Sequence, residues 1–349
     1  MKAITAVPGQ ADQVRVSELA DPAPSEGALL VEGHLIGICG TDADIVLHEH
    51  YGWPPPGTDR IVIGHESLGE VLDAPPGSGF SPGDLVAGIV RRPDPVPCLP
   101  CSRGEWDFCR NGRYTERGIK EHDGFGAQRW RTEPEYATRL DPGLGDCGVL
   151  LEPASVVAKA WEQTERIFAR VSWPPAVALV TGAGPVGLLA ALMGVQRGLE
   201  THVVDLNDAG PKPGLVADLG ATFHAGDVRN IGVTPDVVIE CTGHGPLVME
   251  LADVVAPDGV VCLAGISSGT RPVPVDLDRV NKTMVLANSV VFGSVNAAYR
   301  NYDQAAEALA KADRRWLERL ITRRVPMSRF LDGLHKQHDD VKVVVDLRA

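Results

Sequence analysis

The segment Gly182-Ala183-Gly184-Pro185-Val186-Gly187 constrains this chain more than any other. It follows an apolar run, AVALVT, and opens an apolar helical stretch, PVGLLAALMG. A lone G-x-G-x-x-G is weak evidence, but between a strand and a helix it reads as a dinucleotide-binding turn. Gly182 permits the tight turn, Gly184 lets backbone approach a pyrophosphate, and Gly187 allows the helix to pack closely on the strand. The helix amino terminus, at Pro185 and Val186, favours the anion. Downstream, THVVDLN, DVVIECTG and GVVCLAGI alternate with helical stretches. Repeated units of this kind imply an α/β fold with a parallel, doubly wound sheet.

Asp205 ends the second of these strands, eighteen positions after Gly187. A carboxylate there can accept hydrogen bonds from the adenosine ribose hydroxyls and repels a 2′-phosphate. Leu206 and Asn207 follow it, with no arginine, so NAD is expected to be preferred. Lys212 is close enough in sequence to reach a 2′-phosphate, which leaves use of NADP open. The plain alternative for Asp205 is a solvated turn residue. Thr242 and Gly243, after DVVIEC, are expected at the cofactor edge of the sheet.

The amino-terminal part is different. Glycine and proline punctuate short β-branched runs such as ALLVEGHLIGIC and DLVAGIV, which predicts a β-rich domain. A helix is predicted from Leu150 to Ala169, a strand in SVVFGSVN, a polar helix near Tyr302 to Ala310, and a closing strand in DVKVVVDLRA. At 349 residues the chain suits two domains. No run approaches the ~20 apolar residues of a membrane helix. The segment MKAITAVPGQADQ has one lysine and no apolar centre, so a cytoplasmic location is expected. A net charge of −13 without a dense basic cluster argues against nucleic acid and anionic membranes as partners.

Seven cysteines, an odd number, argue against a disulfide framework. Cys98, Cys101 and Cys109 crowd into twelve residues, which suggests metal. Cys147, Cys241 and Cys262 are expected to be small buried apolar residues. Three further pieces carry zinc-ligand chemistry: Cys39 in GICGTD, His65 and Glu66 in IGHESLGEV, and Glu152 in LEPASV. No spacing rule joins residues so far apart. Singly they read as a core thiol, a loop histidine and a carboxylate beside a helix dipole.

The C-G-T-D, the G-H-E followed two residues later by G-E-V, and the glycine motif together resemble the zinc-dependent medium-chain dehydrogenases over essentially the whole chain. The resemblance implies a discontinuous GroES-like β-rich catalytic domain, residues 1–158 and 297–349, interrupted by a Rossmann domain, residues 159–296, with the active site between them. By the same resemblance, Cys39, His65 and Glu152 match catalytic zinc ligands, and Glu66 a carboxylate that joins or leaves the metal shell. Thr41 matches the hydroxyl that relays the substrate proton. Asp42 matches the carboxylate that orients the zinc histidine. Lys342 matches a basic residue approaching the cofactor pyrophosphate, with a surface strand lysine as the alternative. A homodimer or homotetramer is implied.

Cys98-x2-Cys101-x7-Cys109 resembles the structural zinc lobe of the same family. That lobe normally has a fourth cysteine, C-x2-C-x2-C-x7-C. Here Pro95 takes the first position, and the adjacent Asp94 could supply an oxygen ligand. One catalytic and one structural zinc are therefore expected, against the alternative of a degenerate lobe held by packing.

The segment NGRYTERGIKEHDGF, the run Val90 to Arg92 and the VFGSVN strand resemble the glucose 1-dehydrogenases within that family. The resemblance assigns sugar contacts to Glu116 and Asn296; a carboxylate and an amide suit a polyol. The expected reaction is oxidation of the anomeric hydroxyl of an aldopyranose, D-glucose first, to the lactone, with zinc as Lewis acid and NAD(P) as hydride acceptor. A zinc polyol or secondary-alcohol dehydrogenase is the nearest alternative. A zinc-free nucleotide-binding reductase is the alternative of another class.

Overall fold

The computed structural model describes residues 1–48, 51–208, 210–267 and 272–349. They form two compact units, Met1–Ser155 with Ala297–Ala349, and Val156–Asn296. The chain crosses from the first to the second within the helix Leu151–Phe168.

The first unit is built on a seven-stranded, mostly antiparallel sheet. Its spatial order runs Ala137–Arg139, Leu85–Gly88, Glu66–Asp73, Leu29–Gly37, Lys342–Asp346, Ile321–Pro326, with Arg129–Thr132 also paired to Leu29–Gly37. The carboxy-terminal strand thus lies against a strand from near the start of the chain, with Val344 opposite Gly37. On the other side of that strand, Gly37 faces Glu66. The alternating burial of Leu29–Gly37 packs Leu29, Val31 and Ile36 with Ile4, Val71, Phe125 and Val345 in one apolar core. A separate three-stranded sheet joins Arg91–Arg92, Thr115–Arg117 and Glu121–His122.

The second unit has the expected doubly wound sheet. Six parallel strands, Val177–Thr181, Glu200–Asp205, Thr222–Ala225, Val237–Glu240, Val260–Leu263 and Val290–Gly293, lie in the spatial order third, second, first, fourth, fifth, sixth. The central strands read as near-continuous apolar runs because helices cover both faces of such a sheet. Leu179, Val204, Val238, Leu251 and Val261 form part of its core. The strand order reverses between the first and fourth strands, the place where sheets of this type bind ligands.

Among the described residues, no helix is long and apolar enough to cross a membrane. All seven cysteines are free; Cys147 and Cys262 are buried as expected, whereas Cys241 is half-buried.

Candidate functional site

In the second unit, the glycine turn opens the helix Pro185–Gln196. Gly182 has φ +89°, the left-handed region that favours glycine. A Cβ at Gly187 would stand 1.8 Å from the Gly182 carbonyl oxygen, so only glycine lets helix and strand approach this closely. A Cβ at Gly184 would meet no protein atom within 4 Å, which leaves room beside the helix amino terminus for a ligand.

Asp205, at the end of its strand, accepts hydrogen bonds from Ala183 N at 2.7 Å and Asn207 N at 2.9 Å. Lys212 Nζ lies 3.0 Å from Asp205 Oδ2. Burial alone would raise the Asp205 pKa; the two backbone donors and Lys212 outweigh it and hold it below the usual value. The carboxylate thus ties the strand end to the glycine turn.

Thr242 and Gly243 both donate backbone N–H groups to Glu240, at 2.6 and 3.0 Å. Glu240 is fully buried and was not singled out from sequence. Its signal was a carboxylate ending the otherwise apolar run VVIE. Asn296 ends this unit half-buried, with φ 61°.

In the first unit, Cys39 caps the helix Gly40–Leu47, and its backbone N–H donates to the Asp42 carboxylate at 2.9 Å. Asp42 Oδ1 stands 3.5 Å from His65 Nδ1, and both residues are buried. The ring nitrogen Nδ1 is thus turned to Asp42, which leaves Nε2 for a metal. Burial would lower the His65 pKa, but Asp42 and the Cys39 thiol hold it well above its usual value.

Ligand atoms of Cys39, His65 and Glu66 lie within 4.8 Å of one another. Glu152 is outside that tight group but buried beside it. Burial pushes its pKa up to about 7, His65 and Lys342 draw it down, and Glu66 and Asp42 add to the rise.

Lys342, expected near the cofactor pyrophosphate, is placed among these groups. It is buried, pairs with Glu66 Oε2 and donates to the Ile38 carbonyl at 3.0 Å. Burial would depress its pKa, and the negative charge of Glu66 and Cys39 reverses the sign.

The donor set fits zinc. It offers a thiol, an imidazole and two carboxylates, and ligand atoms of Cys39, His65 and Glu66 already lie within 4.8 Å of one another.

Tyr51 is a further member that the sequence did not single out. Burial raises its phenol pKa, a hydrogen bond with Thr41 opposes this, and the Glu116 carboxylate adds to the rise. It therefore neighbours both the expected proton relay and the expected sugar contact. Glu116 itself is buried and bound by Arg91, whose Nη2 lies 2.9 Å from Oε1.

The cysteine lobe is also assembled. Cys98 Sγ lies 3.5 Å from Cys101 Sγ and 4.0 Å from Cys109 Sγ. The backbone N–H of Arg110 draws the Cys98 thiol down to about 6, whereas burial pushes Cys101 up to about 11. The Asp94 carboxylate accepts from Asn111 Nδ2 at 2.7 Å, Val96 N at 2.8 Å and Arg113 Nε at 3.2 Å.

Two known families together match most of the chain, the second of them across parts of both units. The alcohol dehydrogenase GroES-like domain family matches residues 25–141. The glucose dehydrogenase C-terminus family matches residues 145–347. The glucose 1-dehydrogenase of Methanocella arvoryzae is 35% identical, with 100% of both chains covered. That of Thermoproteus tenax is 37% identical, again over 100% of both. Among solved structures, Haloferax mediterranei glucose dehydrogenase in complex with NADP, Zn and gluconolactone aligns with a TM-score of 0.90 and 29% identity, covering 99% of each chain.

Proposed function

The chain belongs to the glucose 1-dehydrogenases of the zinc-dependent medium-chain dehydrogenase family, and we propose that it oxidises the anomeric hydroxyl of D-glucose to the lactone with a nicotinamide nucleotide as acceptor. The observation that carries this reading is the convergence of Cys39, His65 and Glu66 beside the buried Glu152, in a chain whose full-length relatives are glucose 1-dehydrogenases.

Cys39, His65 and Glu152 would hold the metal, with Glu66 as the carboxylate that joins or leaves. When bound, zinc supplies Lewis acidity at the alcohol oxygen and the nicotinamide ring accepts the hydride. Asp42 holds His65 by Nδ1, which fixes the ring for metal binding through Nε2. Thr41 Oγ1 takes the substrate proton, and the hydrogen-bonded phenol of Tyr51 is the next oxygen on its way out. Glu116 and Asn296 orient the sugar through its hydroxyls. The Gly182–Gly187 turn receives the pyrophosphate on backbone N–H groups, and Asp205 receives the ribose. NAD is the preferred acceptor on this reading. Lys212, 3.0 Å from Asp205, gives NADP a foothold.

A second zinc belongs in the lobe of Cys98, Cys101 and Cys109, and Asp94 would have to release Asn111, Val96 or Arg113 to serve as its oxygen donor. Seven free thiols suit the cytoplasm. Exposed Leu277, Val285 and Leu286 on one helix support assembly into a dimer or tetramer.

Initial rates with a panel of aldoses and polyols, run with each nucleotide, test the reaction. Glucose should lead the panel. Prolonged chelation, and His65→Ala, should remove metal and turnover together. Full activity in a demonstrably metal-free sample would refute the zinc-dependent mechanism.

A further inference from the structure

The short strands Arg91–Arg92 and Thr115–Arg117 pair antiparallel, and their register sets Arg91 directly opposite Glu116. Across such a pair, facing side chains are close enough for a direct ion pair. Here both are buried, Arg91 at 5% and Glu116 at 9% exposure. Arg91 Nε donates to Glu116 Oε1 at 3.0 Å, and Nη2 lies 2.9 Å from the same oxygen. The third edge of the guanidinium is used as well: Nη1 donates to the Asp107 carbonyl at 3.2 Å. Its flat face lies over the Tyr114 ring, 3.8 Å from the centroid, and Lys120 Nζ also approaches that ring, at 4.2 Å. The arginine is therefore held from several directions before it touches the carboxylate.

This geometry bears on Glu116 in two ways. A buried carboxylate without a counter-charge loses its charge or its place, and a partner removes that pressure. A carboxylate fixed by one oxygen also loses little side-chain entropy when a hydroxyl binds it, so more of the contact energy reaches the ligand.

We propose that Arg91 is a positioning residue for sugar binding: it sets the Glu116 carboxylate for a substrate hydroxyl and is itself braced by the cysteine lobe through the Asp107 carbonyl. Asp107 stands two positions before Cys109, so the brace runs from the thiol cluster to the carboxylate that meets substrate. The inference rests on the reading of Glu116 as a sugar contact. Arg91 touches no reacting atom, so its effect belongs in sugar affinity rather than in the chemical step.

The test is a double-variant cycle on the zinc-loaded enzyme, using Arg91→Met, Glu116→Gln and both together, with glucose and nucleotide each varied. The glucose KM should rise about tenfold or more in Arg91→Met, with kcat and the nucleotide KM within about threefold of the parent. The double variant should be no worse than Glu116→Gln alone, because Arg91 acts through that carboxylate. Arg91→Lys keeps the charge but not the fork, and should raise the glucose KM to an intermediate value. It carries the test if Arg91→Met does not fold. An unchanged glucose KM in the arginine variants, multiplicative effects in the double variant, or a parallel rise in the nucleotide KM would each overturn the proposal. The parent's own substrate panel reports separately on the sugar reading. If another polyol leads that panel, the reading of glucose fails, and the same cycle is scored on that polyol.

Discussion

Lys342 and Glu66 form a buried ion pair above Gly37, where any larger residue would displace them. A Cβ at Gly37 would fall 1.9 Å from Glu66 Oε2 and 2.7 Å from Lys342 Cε. The missing side chain gives the two groups their space, and the sheet register brings them there from strands on either side of Leu29–Gly37. Without a metal, this ammonium shares with His65 the positive charge that faces Cys39 and Glu152, and it pairs directly with Glu66.

Lys342→Met should therefore act differently on metal-free and zinc-loaded protein. Removing one partner of a buried pair costs about 3–5 kcal/mol, because the other charge stays buried. The chelated variant should melt well below the chelated parent. Zinc should restore most of the difference, since the dication supplies the lost positive charge beside the same carboxylates. Thermal melts with and without chelator make the comparison. Equal melting of the two chelated proteins would show that the pair contributes nothing.

Cys101→Ser should lower the melting temperature and the zinc content together. Folded variant should keep the nucleotide KM, because the glycine turn belongs to the other unit. Its glucose KM should rise, since loosening the lobe loosens the Asp107 carbonyl that braces Arg91. Metal analysis and steady-state kinetics on one preparation read all three. Zinc content unchanged from the parent would remove the lobe from the list of metal sites.

NAD should exceed NADP in kcat/KM by about tenfold, a margin that needs only ~1.4 kcal/mol. On the proposed reading, charge-assisted hydrogen bonds from ribose hydroxyls to Asp205 would contribute about 1.5–3 kcal/mol each. Lys212, 3.0 Å from Asp205, would offset part of the carboxylate's repulsion of a 2′-phosphate and so limit the margin. Asp205→Ala should narrow it, by weakening NAD and by releasing Lys212. Adding Leu206→Arg, at a position 85% exposed, should carry preference to NADP. Kinetics with both nucleotides at saturating glucose decide it. Equal or better efficiency with NADP in the parent would withdraw the NAD assignment.

His122 should make the protein less stable as it is acidified. Burial, with Arg117 and Arg92 nearby, lowers its pKa from 6.5 to about 3. Below 6.5 the unfolded chain takes up a proton that the folded chain refuses, so stability falls with pH until the folded value is reached. The slope approaches ~1.4 kcal/mol per pH unit. His122→Gln should flatten the fall in melting temperature between about pH 7 and about pH 5. Identical slopes in parent and variant would mean that His122 is not held neutral.

The elements that were legible in the sequence are those whose physics is local. The glycine turn is set by three residues within one strand–helix junction, and the alternation of apolar strands with helices follows from burial on both faces of a parallel sheet. The three thiols were legible because their spacing closes a short loop. Cys39, His65 and Glu152 were individually ordinary, and only the resemblance to a known family drew them together. Tyr51 and Glu240 were missed because an aromatic and a glutamate at single positions carry no pattern, whereas Arg91 lay in the Val90–Arg92 run that carried the resemblance but nothing in the sequence paired it with Glu116.

By itself, then, the sequence determined the doubly wound sheet, the nucleotide turn at its edge and the identity of the candidate metal donors. The tertiary structure alone decided which side chains share a buried space: His65 with Asp42, Lys342 with Glu66, Arg91 with Glu116. The physical reason is register. A turn is fixed by the dihedral preferences of neighbouring residues, whereas a pair such as Lys342 and Glu66 exists only once distant strands have aligned, and a shift of one residue would send each side chain to the opposite face.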